Sequence, residues 1–476
     1  PERKRRCAID IQKSNAALQE LKKQIRDELI NNNETQRVFL TSVKQKIENA
    51  NYDKYSILFE LFQNADDACW ELQEMGSPQV PKQFSVSLKN NSLCISHWGR
   101  AINQYQLNGH DFSDRGYRDD LLKILLLNFS DKSEGVTGKF GLGFKSVFLL
   151  TSKPRIVSDR IGFDVIGGIY PKDLSDNEFQ ETANQLGDNK EGTIVKLNVN
   201  ELEARPVIEG FVEYAPLIGA FSRWIREFKV RIKDNKRNWV WSEHPLEGIP
   251  NVYFGKTESQ SSQTLKALLL GSPQRRCLIS IDPSGAIPLS SNYPTFWVTA
   301  PTRMLSKAGF AINGPFRLDV GRSQLDLSGG GKQFNEELAK EMGREFGQAL
   351  INLYQLDDVQ LCQALNLTTG TTRLTFWASI WNILSDQLAS QNSGDQGIGL
   401  LYQMFWVEKR GMPLLYATCD ALPTKLPKST GQFNCLTRLG SIQWSVSGIL
   451  NSDEAVLTQV LDWPVLAKGQ HQILPG

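Results

Sequence analysis

Glu60, Asn64 and Asp67 are spaced i, i+4 and i+7 along the chain. On a helix that spacing sets a carboxylate, a carboxamide and a second carboxylate on one narrow face. A carboxylate beside an amide can orient a water molecule while the amide oxygen ligates a hard cation such as magnesium. Further along, Gly138-Lys-Phe-Gly141-Leu-Gly143-Phe-Lys-Ser-Val-Phe148 brings three glycines to one turn, where a backbone can bend tightly and approach a ligand. Amides exposed at the start of an apolar helix over Phe144–Leu150 would bind phosphate oxygens by hydrogen bonds and the helix dipole. Taken singly, the first segment is also an amphipathic helix with a solvated polar face, and the second a ligand-free turn. Together they describe a site for a nucleotide and its magnesium.

The helix carrying Glu60 is expected over residues 53–73, with Leu58, Leu61, Phe62, Ala65 and Cys69 on another face to anchor it to a sheet. Upstream, Ile9, Ile11, Ala16, Leu18, Leu21, Ile25 and Leu29 predict a helix over residues 8–35, ended by the Asn31–Asn33 cluster. A further helix follows over 35–49. Strands are predicted at 83–88 and 92–96, joined by a turn at Lys89–Asn91, and again at 154–158, 161–166 and 192–198. Residues 103–135 are polar and glycine-containing apart from a helical 121–127, a composition that suits a mobile covering segment. Helices, then strands, then a helix packed back on them predict an α/β sandwich of two layers.

A boundary is expected near 200–210. Beyond it a helix over 214–228, strands at 229–232, 239–241, 277–281 and 295–299, and a helix over 335–356 read as a second α/β domain. The expected organisation is therefore an N-terminal helical arm (1–34), a nucleotide domain (35–205), a second α/β domain (206–356) and a mixed C-terminal region (357–476). That last region is helical first and strand-like later, with no internal repeat and no recognisable chemistry.

Composition narrows the function classes. Of 476 residues, 40% are hydrophobic and 22% charged, an ordinary globular balance. The net charge of +1 gives no broad attraction to nucleic acid or membrane, the run Arg3–Arg6 being a local exception. Seven scattered cysteines without a CxxC argue against a disulfide framework or structural zinc and fit a reducing, cytoplasmic compartment. The four histidines lie too far apart for a His-rich metal site. Neither a signal peptide nor an apolar run long enough for a bilayer is present. The chain starts at Pro1, as an excised or processed piece of something longer would. The glycine segment is not a P-loop, because Phe140 follows Gly138-Lys139 and Gln333 follows Gly331-Lys332 where Ser or Thr is required. A Rossmann fingerprint fails because polar sequence, not a strand, precedes the turn.

Glu60-Leu-Phe-Gln-Asn-Ala-Asp-Asp-Ala68 together with Gly138–Phe148 resembles the GHKL ATPases: gyrase, the ninety-kilodalton heat-shock chaperone, histidine kinases and MutL. Within that superfamily the wording is most similar to the sacsin-type proteins, over residues 35–200. The resemblance implies the Bergerat ATP-binding fold, a two-layer α/β sandwich, followed by a transducer-like α/β domain. It implies ATP and Mg2+ as cofactors, held under a mobile lid formed by 103–137. Glu60 would then be the general base for water, Asn64 the magnesium ligand and Asp67 a second polar residue lining the pocket. Gly138, Gly141 and Gly143 would form the phosphate turn and lid hinge, with Lys139 and Lys145 near enough in sequence to contact phosphate. Thr193, in Gly192-Thr-Ile-Val, would stand near the adenine through water.

One box departs from the family pattern. Many relatives place Asp-x-Gly after the second strand, the aspartate accepting from the adenine amino group, whereas this chain has His97-Trp98-Gly99-Arg100. A neutral histidine can accept one hydrogen bond through its unprotonated nitrogen, which would preserve adenine contact. Further on, Gly309–Leu325 resembles a loop that carries a catalytic arginine in the chaperone's middle domain, with Arg322 as the candidate and Gln324 beside it.

The resemblance implies a magnesium-dependent ATPase of slow turnover that acts as a lid-closing switch, chaperone-like or part of a larger machine, including microbial defence against phages. Implied partners are other protein domains or subunits and a transient homodimer, with no membrane. A nucleotide-binding scaffold without hydrolysis is the main alternative, and a DNA-linked role of the MutL or chromatin kind stays open. A histidine kinase is disfavoured, since no histidine precedes His97. A type II topoisomerase would need a cleavage-tyrosine domain that is not identifiable.

Overall fold

A computed structural model describes residues 18–77, 80–126, 143–187, 189, 191–259, 264–304, 308–319 and 324–372, with a few positions between 375 and 401. The chain is mixed α/β and divides into two units, Pro1–Phe211 with Val230–Lys236, and Val212–Lys229 with Arg237–Gly476.

In the first unit, residues 18–31 are helical. The asparagine cluster does two jobs: it ends that helix, and Asn32 caps α1 (Asn33–Asn49) by accepting from the Glu34 and Thr35 amides. Asp53 similarly accepts from Tyr55 and Ser56 in the short 3-10 turn that leads into α2 (Ile57–Glu74). The anchoring residues Leu58, Leu61, Phe62, Ala65 and Cys69 are all buried, as their spacing predicts. Next, β1 (Gln83–Lys89) and β2 (Ser92–His97) form a hairpin. Asn90 and Asn91 sit at φ 51° and 59°, the left-handed pair that a tight hairpin turn needs.

The strands β3 (Arg155–Ser158), β4 (Ile161–Ile166), β5 (Tyr170–Asp173) and β6 (Thr193–Asn198) complete an antiparallel sheet in the order β1-β2-β6-β3-β4-β5. One face receives α2, through an edge contact of Phe62 on Phe84 with centroids 5.5 Å apart. Phe211 meets both rings. The opposite face is not bare. There α4 (Asp176–Ala183) and Leu186 close over Cys94, Val157 and Ile194, on a helix started by a Ser175–Glu178 capping box. Helices thus pack on both faces of this sheet, and α3 (Asp120–Leu125) lies between β2 and β3 in the chain.

Helix α5 (Glu201–Phe221) begins earlier than the 214–228 predicted, with Pro206 and Pro216 both inside it, and the units divide between its Phe211 and Val212. The division also cuts β7 (Glu227–Ile232) and β8 (Asn235–Pro245), and β8, β9 (Val252–Ser259), β10 (Leu265–Ser272) and β11 (Arg275–Asp282) form a meander. Strands β9 and β10 were not expected from sequence, because the Leu268–Leu270 run has no alternation to betray a strand buried on both faces. Parallel β12 (Phe296–Val298) and β13 (Ala311–Asn313) extend the sheet, and α6 (Gly329–Tyr354) and α7 (Asp358–Leu365) pack over it. Inside, the wholly buried Arg276 guanidinium is neutralised by Glu243 at 2.7 Å and donates to the Ala220 carbonyl. Among the described residues no helix is long and apolar enough to cross a membrane.

Candidate functional site

Glu60 and Asn64 stand one turn apart on α2, but their surroundings differ. Glu60 is buried, at 5% exposure and in the first turn, where the helix dipole favours a carboxylate. Asn64 is exposed and Asp67 half-buried, while the neighbouring Asp66 is turned inward and buried. The face therefore grades from a sheltered carboxylate to an accessible carboxamide. That gradient suits a base kept apart from bulk water beside a ligand that can reach a solvated cation.

A row of side chains crosses the sheet at the level of His97. Phe84 on β1 lies directly across from His97 on β2, His97 across from Thr193 on β6, and Thr193 across from Ser158 on β3. Residues opposite one another in antiparallel strands share a face, and Phe84 fixes which one, since it packs against Phe62 of α2. The row is hydrogen-bonded at its polar end. Ser158 and Thr193 share a bond of 2.7 Å between their hydroxyls, and Ser158 Oγ also accepts from the Ile102 amide at 3.0 Å.

Two glycines allow the chain to close around His97. A Cβ on Gly99 would stand 2.5 Å from the Ala68 carbonyl carbon and the Cys69 nitrogen of α2. A Cβ on Gly192 would stand 2.9 Å from the His97 carbonyl oxygen. The end of β2 is thus pressed onto α2 one turn beyond Asn64, and the Arg100 amide donates to the Ala68 carbonyl at 2.8 Å. The Gly99 amide in turn donates to His97 Nδ1 at 3.2 Å. Loss of solvent around the ring lowers the His97 pKa to about 4, so the imidazole is neutral at physiological pH. The ring's acceptor nitrogen is therefore taken by the protein's own backbone, contrary to the expectation that it would be offered to adenine.

The segment after Gly99 is tied down rather than loose, as far as Leu126. Buried Arg100 bonds Glu71 of α2 at 2.8 Å and Asp120 of α3 at 2.6 and 3.1 Å, and stacks on Tyr117 at 3.9 Å. Asp120 also accepts from the Asn103 amide, and Asn103 Oδ1 accepts from the Leu121 amide. Burial raises the Glu71 pKa against the attraction of Arg100. For Arg100 burial works the other way, yet the bond to Asp120 and the charge of Glu71 prevail and hold the guanidinium charged. Where a covering segment is expected over 103–135, the described part is joined to α2 through Arg100, at Asn103, Tyr117 and Asp120. The remainder of that stretch, and of the lid 103–137, lies outside the described residues.

Of the glycine turn, Gly143 is described, while Gly138, Lys139 and Gly141 lie outside the described residues. Gly143 leads into a 3-10 helix, Phe144–Leu149, rather than the α-helix predicted, and its carbonyl accepts from Ser146 Oγ at 2.7 Å. The tighter winding turns Lys145 into the interior. There its ammonium donates to the carbonyls of Leu125 and Gly168, and burial lowers its pKa to about 8. Lys145 is a structural cation and not a phosphate contact. Arg322 also lies outside the described residues. Its neighbour Gln324 accepts through its carbonyl from the Asp319 amide at 2.9 Å, and its own amide donates to Asp319 Oδ1.

Sequence reasoning overlooked Ser158 and Asp120. Ser158 owes its place to strand register, which no local pattern reveals, and Asp120 lies among acidic neighbours that carry the same local signal.

Residues 37–182 match the family description of the Sacsin domain. The match takes in Glu60, Asn64, Asp67, His97, Gly99 and the glycine turn, and ends before Thr193. It supports a sacsin-like relationship for that stretch. No curated protein matches the chain.

Proposed function

We propose that the first unit is a GHKL-type nucleotide site of the Bergerat kind, binding a nucleoside triphosphate with magnesium and hydrolysing it slowly. The observation that carries this reading is the pressing of Gly99 against Ala68 and Cys69, which holds the His97–Thr193–Ser158 row beside the helix of Glu60, Asn64 and Asp67. In this reading a base-binding end and a hydrolytic end stand side by side in the first unit. ATP is the nucleotide that the resemblance implies, and the Sacsin-domain match over the same residues supports the class.

The donor set fits magnesium arriving with its nucleotide. No cluster of three or more His, Cys, Asp or Glu able to hold a metal occurs among the described residues. Magnesium bound with a phosphate substrate needs only one or two protein oxygens, its other ligands being phosphates and waters. The exposed Asn64 carboxamide supplies one such oxygen. When bound, the cation would neutralise phosphate charge, and Glu60 would take a proton from a water held against the phosphate. The turn at Gly138–Gly143 would direct backbone amides to the phosphates.

Calorimetric titration of nucleotide with and without magnesium tests the assignment of Asn64. Asn64→Ala should abolish magnesium-dependent binding while leaving the thermal unfolding profile intact. Unchanged magnesium-dependent binding in that variant would remove Asn64 from the site.

A further inference from the structure

The polarity of His97 gives the base end a direction of its own. A backbone N–H can only donate, so His97 Nδ1, which faces the Gly99 amide at 3.2 Å, must be unprotonated. In a neutral imidazole the other nitrogen then carries the proton. That nitrogen bonds no other group among the described residues, and the side chain is only partly covered. It presents a donor at the position where the family pattern has a carboxylate acceptor. The neighbouring hydroxyls of Thr193 and Ser158 can each turn to donate or accept, so they impose no opposite preference.

We propose that this site prefers a 6-oxopurine nucleotide, guanine or hypoxanthine, to the 6-aminopurine adenine, through a hydrogen bond from His97 to the 6-oxygen. The inference rests on the nucleotide-site reading given above. An amino group at the purine 6-position would face the imidazole N–H donor to donor, leaving both unpaired once the base covers the ring, whereas a carbonyl oxygen pairs with it. Asparagine and aspartate at this position can both accept from the amide two residues on, as Asx turns do. They differ in what they present outward: asparagine retains an N–H donor, and aspartate offers an acceptor. The two substitutions therefore preserve the turn and invert only the polarity.

Dissociation constants for magnesium complexes of ATP, GTP and ITP, measured by calorimetry on the full chain, form the test. ITP differs from ATP in one substituent, the oxygen at the 6-position, which also turns ring N1 from an acceptor into an N–H donor. Wild type and His97→Asn are expected to bind ITP and GTP about tenfold or more tighter than ATP, and His97→Asp to reverse that order, the factor expected of one buried hydrogen bond made or denied. A wild-type preference for ATP would overturn the proposal, since the imidazole would then meet a ring nitrogen of adenine. The same base order in His97→Asn and His97→Asp would overturn it too, marking a structural role only. Should His97→Asp fail to fold, the ITP-to-ATP ratio in wild type still decides. Failure of every nucleotide to bind any variant would reject the nucleotide site itself, a result distinct from binding with the wrong preference.

Discussion

Arg100 Nη1 meets Asp120 Oδ2 at 2.6 Å, with 6% and 18% of the two side chains exposed. The pair joins the residue that follows the His97-x-Gly99 turn to the first residue of α3. Glu71, the other partner of Arg100, belongs to α2.

Asp120→Ala removes one carboxylate from a buried guanidinium and orphans the Asn103 amide. A loss of about 1–3 kcal/mol is expected, because Arg100 keeps Glu71 while the Asn103 amide loses its acceptor. Denaturant unfolding reads it directly. A loss below about 1 kcal/mol, the range of surface pairs, would show that Arg100 is not held as described.

Gly99→Ala places a methyl group against α2 backbone, at 2.5 Å from Ala68 C and Cys69 N, where no side chain can yield. The end of β2 must move off the helix, at a cost of about 1–3 kcal/mol or more. Nucleotide binding should fall further than the stability loss explains, because the base row and the Asn64 face separate. Crystallography of the variant, or calorimetry at a temperature where it stays folded, distinguishes the two effects.

Acid should destabilise the first unit through His97. Its pKa falls from 6.5 to about 4 on folding. Between those values the unfolded chain binds more protons, so this contribution to stability is complete above pH 6.5 and is lost as pH falls through 4. Wild type should therefore lose stability relative to His97→Asn across that window. Parallel pH profiles for the two proteins would contradict the sheltered, neutral imidazole.

Local signals in the chain carried much of this site. The i, i+4, i+7 spacing located the Glu60 face, the opposite apolar face of α2 is buried as its periodicity requires, and Asn90–Asn91 marked the hairpin turn. What escaped was long-range. The alignment of Phe84, His97, Thr193 and Ser158 exists only through strand register across four strands. Lys145 read as a cation near phosphate, yet 3-10 winding turns it toward the Leu125 and Gly168 carbonyls. His97 read as an acceptor because the partner of its Nδ1, an amide two residues away, is set by the backbone path that Gly99 alone permits. Pro206 and Pro216 hid the extent of α5, since both interrupt a pattern that tertiary packing nonetheless holds helical.

Hydrolysis at the Glu60 face is decided by magnesium-dependent phosphate release, compared between wild type and Glu60→Ala. Assays with ATP, GTP and ITP at saturating concentration keep base preference from masking the result. Release should be slow in wild type and fall by about 10²–10⁴-fold in Glu60→Ala, the usual worth of a general base, while nucleotide binding persists. Equal release by the two proteins, or nucleotide binding with no release by wild type above background, would contradict it.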